Sequence, residues 1–343
     1  MEPSYIHLDT KVGETLVLGR SVDEIAGIEG VIFDVDGVLI EVTDSIHLVH
    51  GKAAEQYFGM LGWENCSELV SPADVDAFKL AGGFNSDWEL AFAWTLLYLF
   101  KSKRYASRNG ATLKEKTPTI EEFTAEIAHA GGSLPTAVEI IRGLANELEW
   151  EWIESRWDRA TLQRIFQETY SGDLCPEIYG FEPEIVNAPG LIRKDRVILD
   201  KRLLPVGLKL GIATGRTAGE TQVGLRLAGL AEDFPAENIV TEDDGHKKPD
   251  PEVLRIAIER IGCRRAMYVG DTPDDQRTVL RYREAHGTAR MASCMVLTGL
   301  KHPGLKQVFM EQGADLIADN VNAAMEALKA CIGGAVCPAE QRM

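Results

Sequence analysis

The sequence predicts an α/β protein, a parallel sheet core interrupted after its first strand by an all-helical insertion. Short continuous apolar runs recur at residues 28–40 (IEGVIFDVDGVLI), 208–213 (LKLGIA), 266–269 (AMYV) and 294–297 (CMVL). Runs of this length, set between helical patterns, read as strands buried on both faces of a parallel sheet. From residue 44 to about 185 that texture gives way to helical periodicity. All six tryptophans (Trp63, Trp88, Trp94, Trp150, Trp152 and Trp157) fall inside this stretch, so its burial pattern is its own.

The elements follow in order. The opening MEPSYIHLDTKVGET has no basic start followed by an apolar run, so no signal peptide is expected. After the first strand, helices are expected near 45–61, 86–104, 119–130, 135–149 and 156–170. The most apolar stretch, Leu90 to Phe100 (LAFAWTLLYLF), is flanked by Asp87, Glu89, Lys101 and Lys103. A bilayer needs about 20 apolar residues, so this run reads as a buried helix and not a membrane span. Linkers are placed near Gly37 to Asp44 and Phe181 to Gly190 (FEPEIVNAPG). Residues 188–330 then repeat as β and α. In KPDPEVLRIAIERIG, Asp250 can cap, Pro251 suits a first turn, and Val253, Leu254, Ala257, Ile258 and Ile261 share one face before Gly262 stops the helix. Residues 331–343 read as a loose tail. The expected organisation is a core of residues 1–43 and 188–343 with a helical cap domain, 44–187, over the strand ends.

Composition sets outer bounds. A chain of 343 residues suggests about two domains. Its 36 basic and 53 acidic residues leave a net charge of −17, which argues against nucleic acid and anionic membrane surfaces as partners. A phosphorylated substrate stays open, because a few cations and a metal can reverse the field inside one pocket. The six cysteines form no CxxC pair, so neither a structural zinc nor a disulfide framework is expected, and a reducing cytoplasm fits. Neither GxGxxG nor GxxxxGK[ST] occurs, so nicotinamide and P-loop chemistry lack support. The seven histidines show no metal-ligand spacing. His47 and His50, three apart on an expected helix, read as ordinary core or solvated residues. The acidic run Glu242-Asp243-Asp244 reads as a solvated loop.

Four strand-end features carry the chemistry. In FDVDGVL, a buried strand delivers Asp34 and Asp36, with Gly37 to turn the chain. Two carboxylates so placed need a cation to offset repulsion and desolvation, and oxygen ligands suit magnesium. LKLGIATGR ends in Thr214, Gly215 and Arg216, a hydroxyl and amides able to hold a phosphoryl oxygen. HKKPDPEV places Lys248 directly before proline, where the backbone is restricted. MYVGDTPDD puts Asp271 at a strand end and Asp274 and Asp275 in the next helical turn. Taken singly, the last three are as readily a capping threonine, a surface lysine and first-turn charge that suits the helix dipole.

In this order the four features resemble the motifs of the haloacid dehalogenase (HAD) superfamily, over about 1–43 and 188–330. The insertion point is similar to that of members with a helical cap after the first motif. The resemblance implies a Rossmann-like sheet and a magnesium-dependent phosphatase acting on a small phosphorylated metabolite. It implies Asp34 as nucleophile and Asp36 as general acid/base. Thr214 and Gly215, with Arg216 beside them, would bind the phosphoryl group, and Lys248 would neutralise charge, with Lys247 its rival. Asp271 would hold Mg2+ with Asp34 and the Asp36 carbonyl, supported by Asp275. The HAD dehalogenases lack the second carboxylate, so Asp36 favours phosphoryl chemistry, and the DKTGT run of transport ATPases is absent. A phosphomutase and a non-catalytic phospho-ligand-binding protein on the same scaffold are the alternatives.

KLAGGFNSDWELAF, from Lys79, is the most unusual sequence of the insertion. Gly82 and Gly83 permit a tight turn, Asn85 or Ser86 can cap, and Asp87-Trp88 begins a helix. It reads either as a specificity loop offering Lys79, Asn85, Asp87 and Trp88 to the leaving group, or as a helix–turn–helix with Trp88 in the core. The loop looks like one in a HAD subgroup that partners, or is fused to, a histidinol-phosphate aminotransferase-like protein, which implies a phosphorylated amino alcohol as substrate.

Overall fold

In the computed structural model, which describes residues 4–287 and 291–336, the chain opens with a hairpin of β1 (Tyr5–Thr10) and β2 (Gly13–Leu18). Ile6 and Leu8 face inward between the exposed His7 and Asp9, a period of two that marks a one-sided strand. This hairpin lies outside the strands expected from the sequence. A short helix α1 (Val22–Ala26) leads to β3 (Gly30–Phe33), all of whose residues are buried, and a two-residue strand β4 (Ile40–Glu41).

The chain divides into two compact units, 1–42 with 195–343 and 43–194. The second is helical. It comprises α2 (Ile46–Met60), α3 (Pro72–Ala81), α4 (Asp87–Tyr105), α5 (Gly110–Lys114), α6 (Ile120–His129), α7 (Leu134–Leu144), α8 (Glu147–Glu154), α9 (Arg159–Ser171) and α10 (Cys175–Tyr179). The apolar α4 is buried nearly all round and packs on α7, α8 and α9, as a central helix should. The single helix expected over 135–149 is two, because Asn146 accepts from the Glu149 amide while Glu149 returns a bond to the Asn146 amide. That reciprocal cap starts a new helix. α3 was not expected, though Ser71, Pro72 and Asp74 spell its capping box.

The return to the first unit falls at Asp195, seven residues later than the sequence reading placed it. The intended linker is tied down. The buried Glu168 carboxylate accepts from the amides of Glu184, Ile185 and Val186 at 2.9, 2.6 and 2.7 Å and from Arg164 Nε at 2.6 Å. A Cβ on Gly172, at φ +53°, would strike the Gly190 backbone, and one on Gly190 would strike the backbone of Ser171 and Tyr170. Residues 182–190 are thus part of the helical unit.

Back in the first unit come β5 (Arg196–Val197), β6 (Lys209–Ala213), α11 (Ala218–Leu227), β7 (Ile239–Val240), α12 (Glu252–Ile261), β8 (Ala266–Gly270), α13 (Pro273–His286), β9 (Met291–Val296), α14 (Leu305–Glu311), β10 (Leu316–Ala318) and α15 (Val321–Ile332). β5 pairs antiparallel with β4, which sets the chain's outgoing and returning segments side by side. The main sheet has eight strands in the order β1-β2-β10-β9-β8-β3-β6-β7, parallel from β10 to β7. Antiparallel β2 joins it along β10. α12 begins where Asp250 Oδ1 accepts from the Glu252 amide at 3.0 Å and ends at Gly262, φ +64°. Its Val253, Leu254, Ala257 and Ile261 pack with Ile32, Ala213, Val240 and Tyr268 of the sheet, each large aliphatic contributing about 1.5–3 kcal/mol by burial.

Glu242–Asp244 forms a single 3-10 turn with no buried residue, in which Glu242 pairs with Lys247 and Asp244 with Arg260. Cys331 and Ile332, expected in the tail, close α15, and Cys331 is buried; residues 337–343 lie outside the described residues. The five described cysteines are buried free thiols, Cys66 and Cys175 in the helical unit and Cys263, Cys294 and Cys331 in the sheet unit. Among the described residues, no helix is long and apolar enough to cross a membrane.

Candidate active site

Strand register assembles the site. Phe33 is level with Ile212 of β6 on one side and Val269 of β8 on the other. One residue further, Asp34 donates its amide to the Val269 carbonyl at 2.8 Å. The same edge of the sheet carries Thr214 beyond β6 and Asp271 beyond β8. The chain adds β6 and β7 on one side of β3 and then β8, β9 and β10 on the other, and such switch points are where open α/β sheets bind ligands. All three side chains are buried.

Lys248 fills the space between two of the carboxylates. Its Nζ donates to Asp34 Oδ2 and to Asp275 Oδ1, both at 2.7 Å, and to the Tyr268 hydroxyl at 3.1 Å. Lys247 instead pairs with Glu242 at 2.7 Å, so of the two lysines only Lys248 touches the carboxylates. Burial raises Asp34 to about 6; Lys248 pulls the other way, while Asp275 and Asp36 add to the rise. Burial opposes the charge on Lys248 too, but Asp275 and Asp34 overcome it and hold the ammonium well above its ordinary range. Asp275 is lowered despite its burial, because Lys248, Thr272 and Tyr268 all stabilise the anion. Its Oδ2 also accepts from the amides of Asp271 and Thr272 and from the Thr272 hydroxyl at 3.2, 3.0 and 2.7 Å. Asp275 therefore caps α13 and fixes the lysine at once.

Asp271 is held by shape. Its Oδ2 lies so close to the α-carbons of Gly37, at φ +72°, and Gly299 that a Cβ on either would overlap it. Thr298 Oγ1 donates to the Gly37 carbonyl and ties that loop down. Asp34, Asp271 and Asp275 each offer an oxygen, and these lie within 4.8 Å of one another. Of these three buried carboxylates, Asp34 and Asp275 bond to Lys248. Such a dry, hard-oxygen, net negative donor set fits a divalent cation such as magnesium.

The other expected residues have other neighbours. Thr214 Oγ1 accepts from the Arg216 amide at 3.2 Å, and Gly215 lies between them, half-buried. Arg216 turns its guanidinium to carboxylates, reaching Asp36 Oδ1 at 2.6 Å and Asp195 Oδ2 at 2.9 Å. Lys79, Asp87 and Trp88 belong to a network of the helical unit. Lys79 Nζ is 3.4 Å from Asp87 Oδ1, and His50 Nε2 is 3.1 Å from it. Indole N–H groups only donate, so the bond from Trp94 Nε1 to His50 Nδ1, at 3.2 Å, leaves the proton of neutral His50 on Nε2, facing Asp87. Burial lowers His50, in keeping with that neutral ring. Burial also resists the charge on Asp87, but Lys79 and His50 hold it below the usual range. Trp88 is buried against Phe166 and Tyr179. Asn85 sits half-buried in the turn that Gly82 and Gly83 open, and Ser86 stands at the helix N-cap without bonding to it.

The family profile of haloacid dehalogenase-like hydrolases matches residues 28–278. The chain belongs to that family. This HAD chain is 41% identical over 76 residues to Pyrophosphatase PpaX of Bacillus velezensis, covering 21% of the chain and 34% of that protein. It is 27% identical over 252 residues to an Imidazoleglycerol-phosphate dehydratase of Phytophthora nicotianae, covering 72% of the chain and 40% of that protein. The chain thus spans well under half the length of both curated relatives. Among solved structures it resembles Phosphatase Tt82 from Thermococcus thioreducens, with 26% identity and a TM-score of 0.51 over 82% of this chain and 99% of that one.

Three parts of the HAD site escaped the sequence reading. Tyr268 donates to Asp275 Oδ1 at 2.8 Å and accepts from Lys248; a tyrosine inside an otherwise aliphatic strand was the available signal, since a buried hydroxyl needs a partner. Asp195 and the Thr298–Gly299 loop carry no local signature, for only the fold brings them to Arg216 and Asp271.

Proposed function

We propose that this HAD hydrolase is a magnesium-dependent phosphomonoesterase that turns over a small phosphorylated metabolite through an aspartyl-phosphate on Asp34. The carrying observation is the buried ion pair of Asp34 and Lys248 at the sheet edge, with Thr214 and Asp271 directly after the flanking strands β6 and β8. In the first displacement the Asp34 carboxylate attacks phosphorus and the ester P–O bond breaks. The departing oxygen takes a proton from Asp36 and leaves as the alcohol. Water then attacks the phosphorus of the aspartyl-phosphate and gives its proton to Asp36, releasing inorganic phosphate and restoring Asp34. Lys248 balances charge on Asp34, and Thr214 with the Gly215 amide receives phosphoryl oxygens. Asp34, Asp271 and the Asp36 carbonyl, backed by Asp275, would hold magnesium, which when bound neutralises charge on the phosphoryl oxygens.

The similarity to an Imidazoleglycerol-phosphate dehydratase supports phosphate esters of amine- or imidazole-bearing alcohols as the first substrates to try. The test is phosphate release from p-nitrophenyl phosphate and such a panel, with Mg2+ or EDTA, by wild type and Asp34→Asn. Release that needs the metal and disappears in the variant is expected. Turnover that survives Asp34→Asn would refute the aspartyl-phosphate route.

A further inference from the structure

Building on the phosphatase reading, we infer that Arg216 is a positioning residue for Asp36 and not a ligand of the phosphoryl group. Arg216 is 5% exposed, and its guanidinium lies between two carboxylates. Toward Asp36 it places NH2 at 2.6 Å and Nε at 3.0 Å from Oδ1, and Nε at 3.1 Å from Oδ2. Oδ1 thus carries the stronger grip, and Oδ2 is the oxygen left to exchange a proton with the leaving group and then with water.

The grip is itself anchored. Arg216 NH2 donates to Asp195 Oδ2 at 2.9 Å, and the Asp195 side chain is 2% exposed where that of Asp36 is 24% exposed. A guanidinium is a rigid plane of donors, so docking it on a buried carboxylate sets the plane in which the second is held. The backbone fixes the root of the side chain through Thr214 Oγ1 and through the Glu242 amide, which donates to the Arg216 carbonyl at 3.0 Å. On α11, Gly224 faces the guanidinium, and a Cβ there would run into Arg216 NH1. The helix leaves room for this arginine in this pose. Two carboxylates also cancel its charge, which is a poor arrangement for attracting phosphate and a good one for holding an acid in place.

The experiment compares kcat/KM for phenyl phosphates of graded leaving-group acidity, from p-nitrophenyl to unsubstituted phenyl, in wild type, Arg216→Met, Arg216→Lys and Gly224→Ala. A well-placed general acid contributes roughly 10²–10⁴-fold and matters most for poor leaving groups. Arg216→Met is therefore expected to lower kcat/KM by roughly tenfold or more for phenyl phosphate and by far less for p-nitrophenyl phosphate, with inhibition by inorganic phosphate unchanged. Arg216→Lys should recover part of the loss. Gly224→Ala, which keeps every charged group, should give the same tilt. An equal loss for all esters together with weaker phosphate inhibition would overturn the assignment and make Arg216 a phosphate ligand.

A second readout needs no turnover. Asp36→Asn should shift the melting temperature in the wild-type background and leave it unmoved in Arg216→Met, because the pair is already broken. Additive shifts would overturn the coupling. Absence of turnover in wild type would instead count against the phosphatase reading while this second readout still decides the pairing.

Discussion

Asp34 shows how much of the site is a balance of opposing charges in a dry place. Its raised value follows from burial, with Asp275 and Asp36 adding and Lys248 opposing. A carboxyl whose folded value lies above its unfolded one holds its proton more tightly when folded, so its contribution to stability falls as pH rises from about 4 to about 6. Asparagine does not titrate. With divalent cations removed by EDTA, the stability of Asp34→Asn relative to wild type should therefore improve by on the order of 2 kcal/mol between pH 4 and pH 7. Urea denaturation at the two pH values checks this, and a pH-independent difference would contradict it. At this scale the sequence was informative where chemistry demands a residue type at a strand end. Asp34, Thr214, Lys248 and Asp271 lie along one sheet edge or in contact there. It was uninformative where the partner comes from far along the chain, as Asp195 does for Arg216.

Among the elements, strands that sit deep in the sheet were legible because both faces are apolar, as in β3, β6, β8 and β9. The edge hairpin, β7 and β10 were not, since they are short or alternate with polar residues and give a weak signal. Helix ends were read well where the cap is local, at Asp250 and Gly262, and badly where an internal asparagine competes with helical periodicity, at Asn146. The loop after β9 had no readable pattern at all, yet it decides where Asp271 lies. Gly299→Ala should push the Asp271 carboxylate aside, lowering stability by about 1–3 kcal/mol as overpacking does. It should also raise the Mg2+ concentration needed for half-maximal phosphate release. An unchanged Mg2+ requirement would mean that the loop yields and Asp271 stays.

For the whole molecule, the helical insertion was legible from the change of texture at residue 44, because a run of helices without strands cannot belong to a parallel sheet. Its far boundary lies later than expected, since FEPEIVNAPG has the composition of a linker, while Glu168, thirteen residues before Phe181, accepts from three of its amides. Composition speaks for exposure only until a buried acceptor claims the backbone.

The distribution of thiols gives this two-part chain a built-in chemical clock. Burial raises Cys175, Cys263 and Cys331 to about 11 and lifts Cys66 and Cys294 as well, so none of them should react while its surroundings stay closed. Among the described residues, two report on one unit and three on the other. Pulsed alkylation in rising urea, read peptide by peptide in a mass spectrometer, should label Cys66 and Cys175 together, and Cys263, Cys294 and Cys331 together. If the halves open separately, the order in which the two groups appear tells which half yields first, with no dye or tag added. Labelling that mixes the groups at random would mean that opening is local and not by unit.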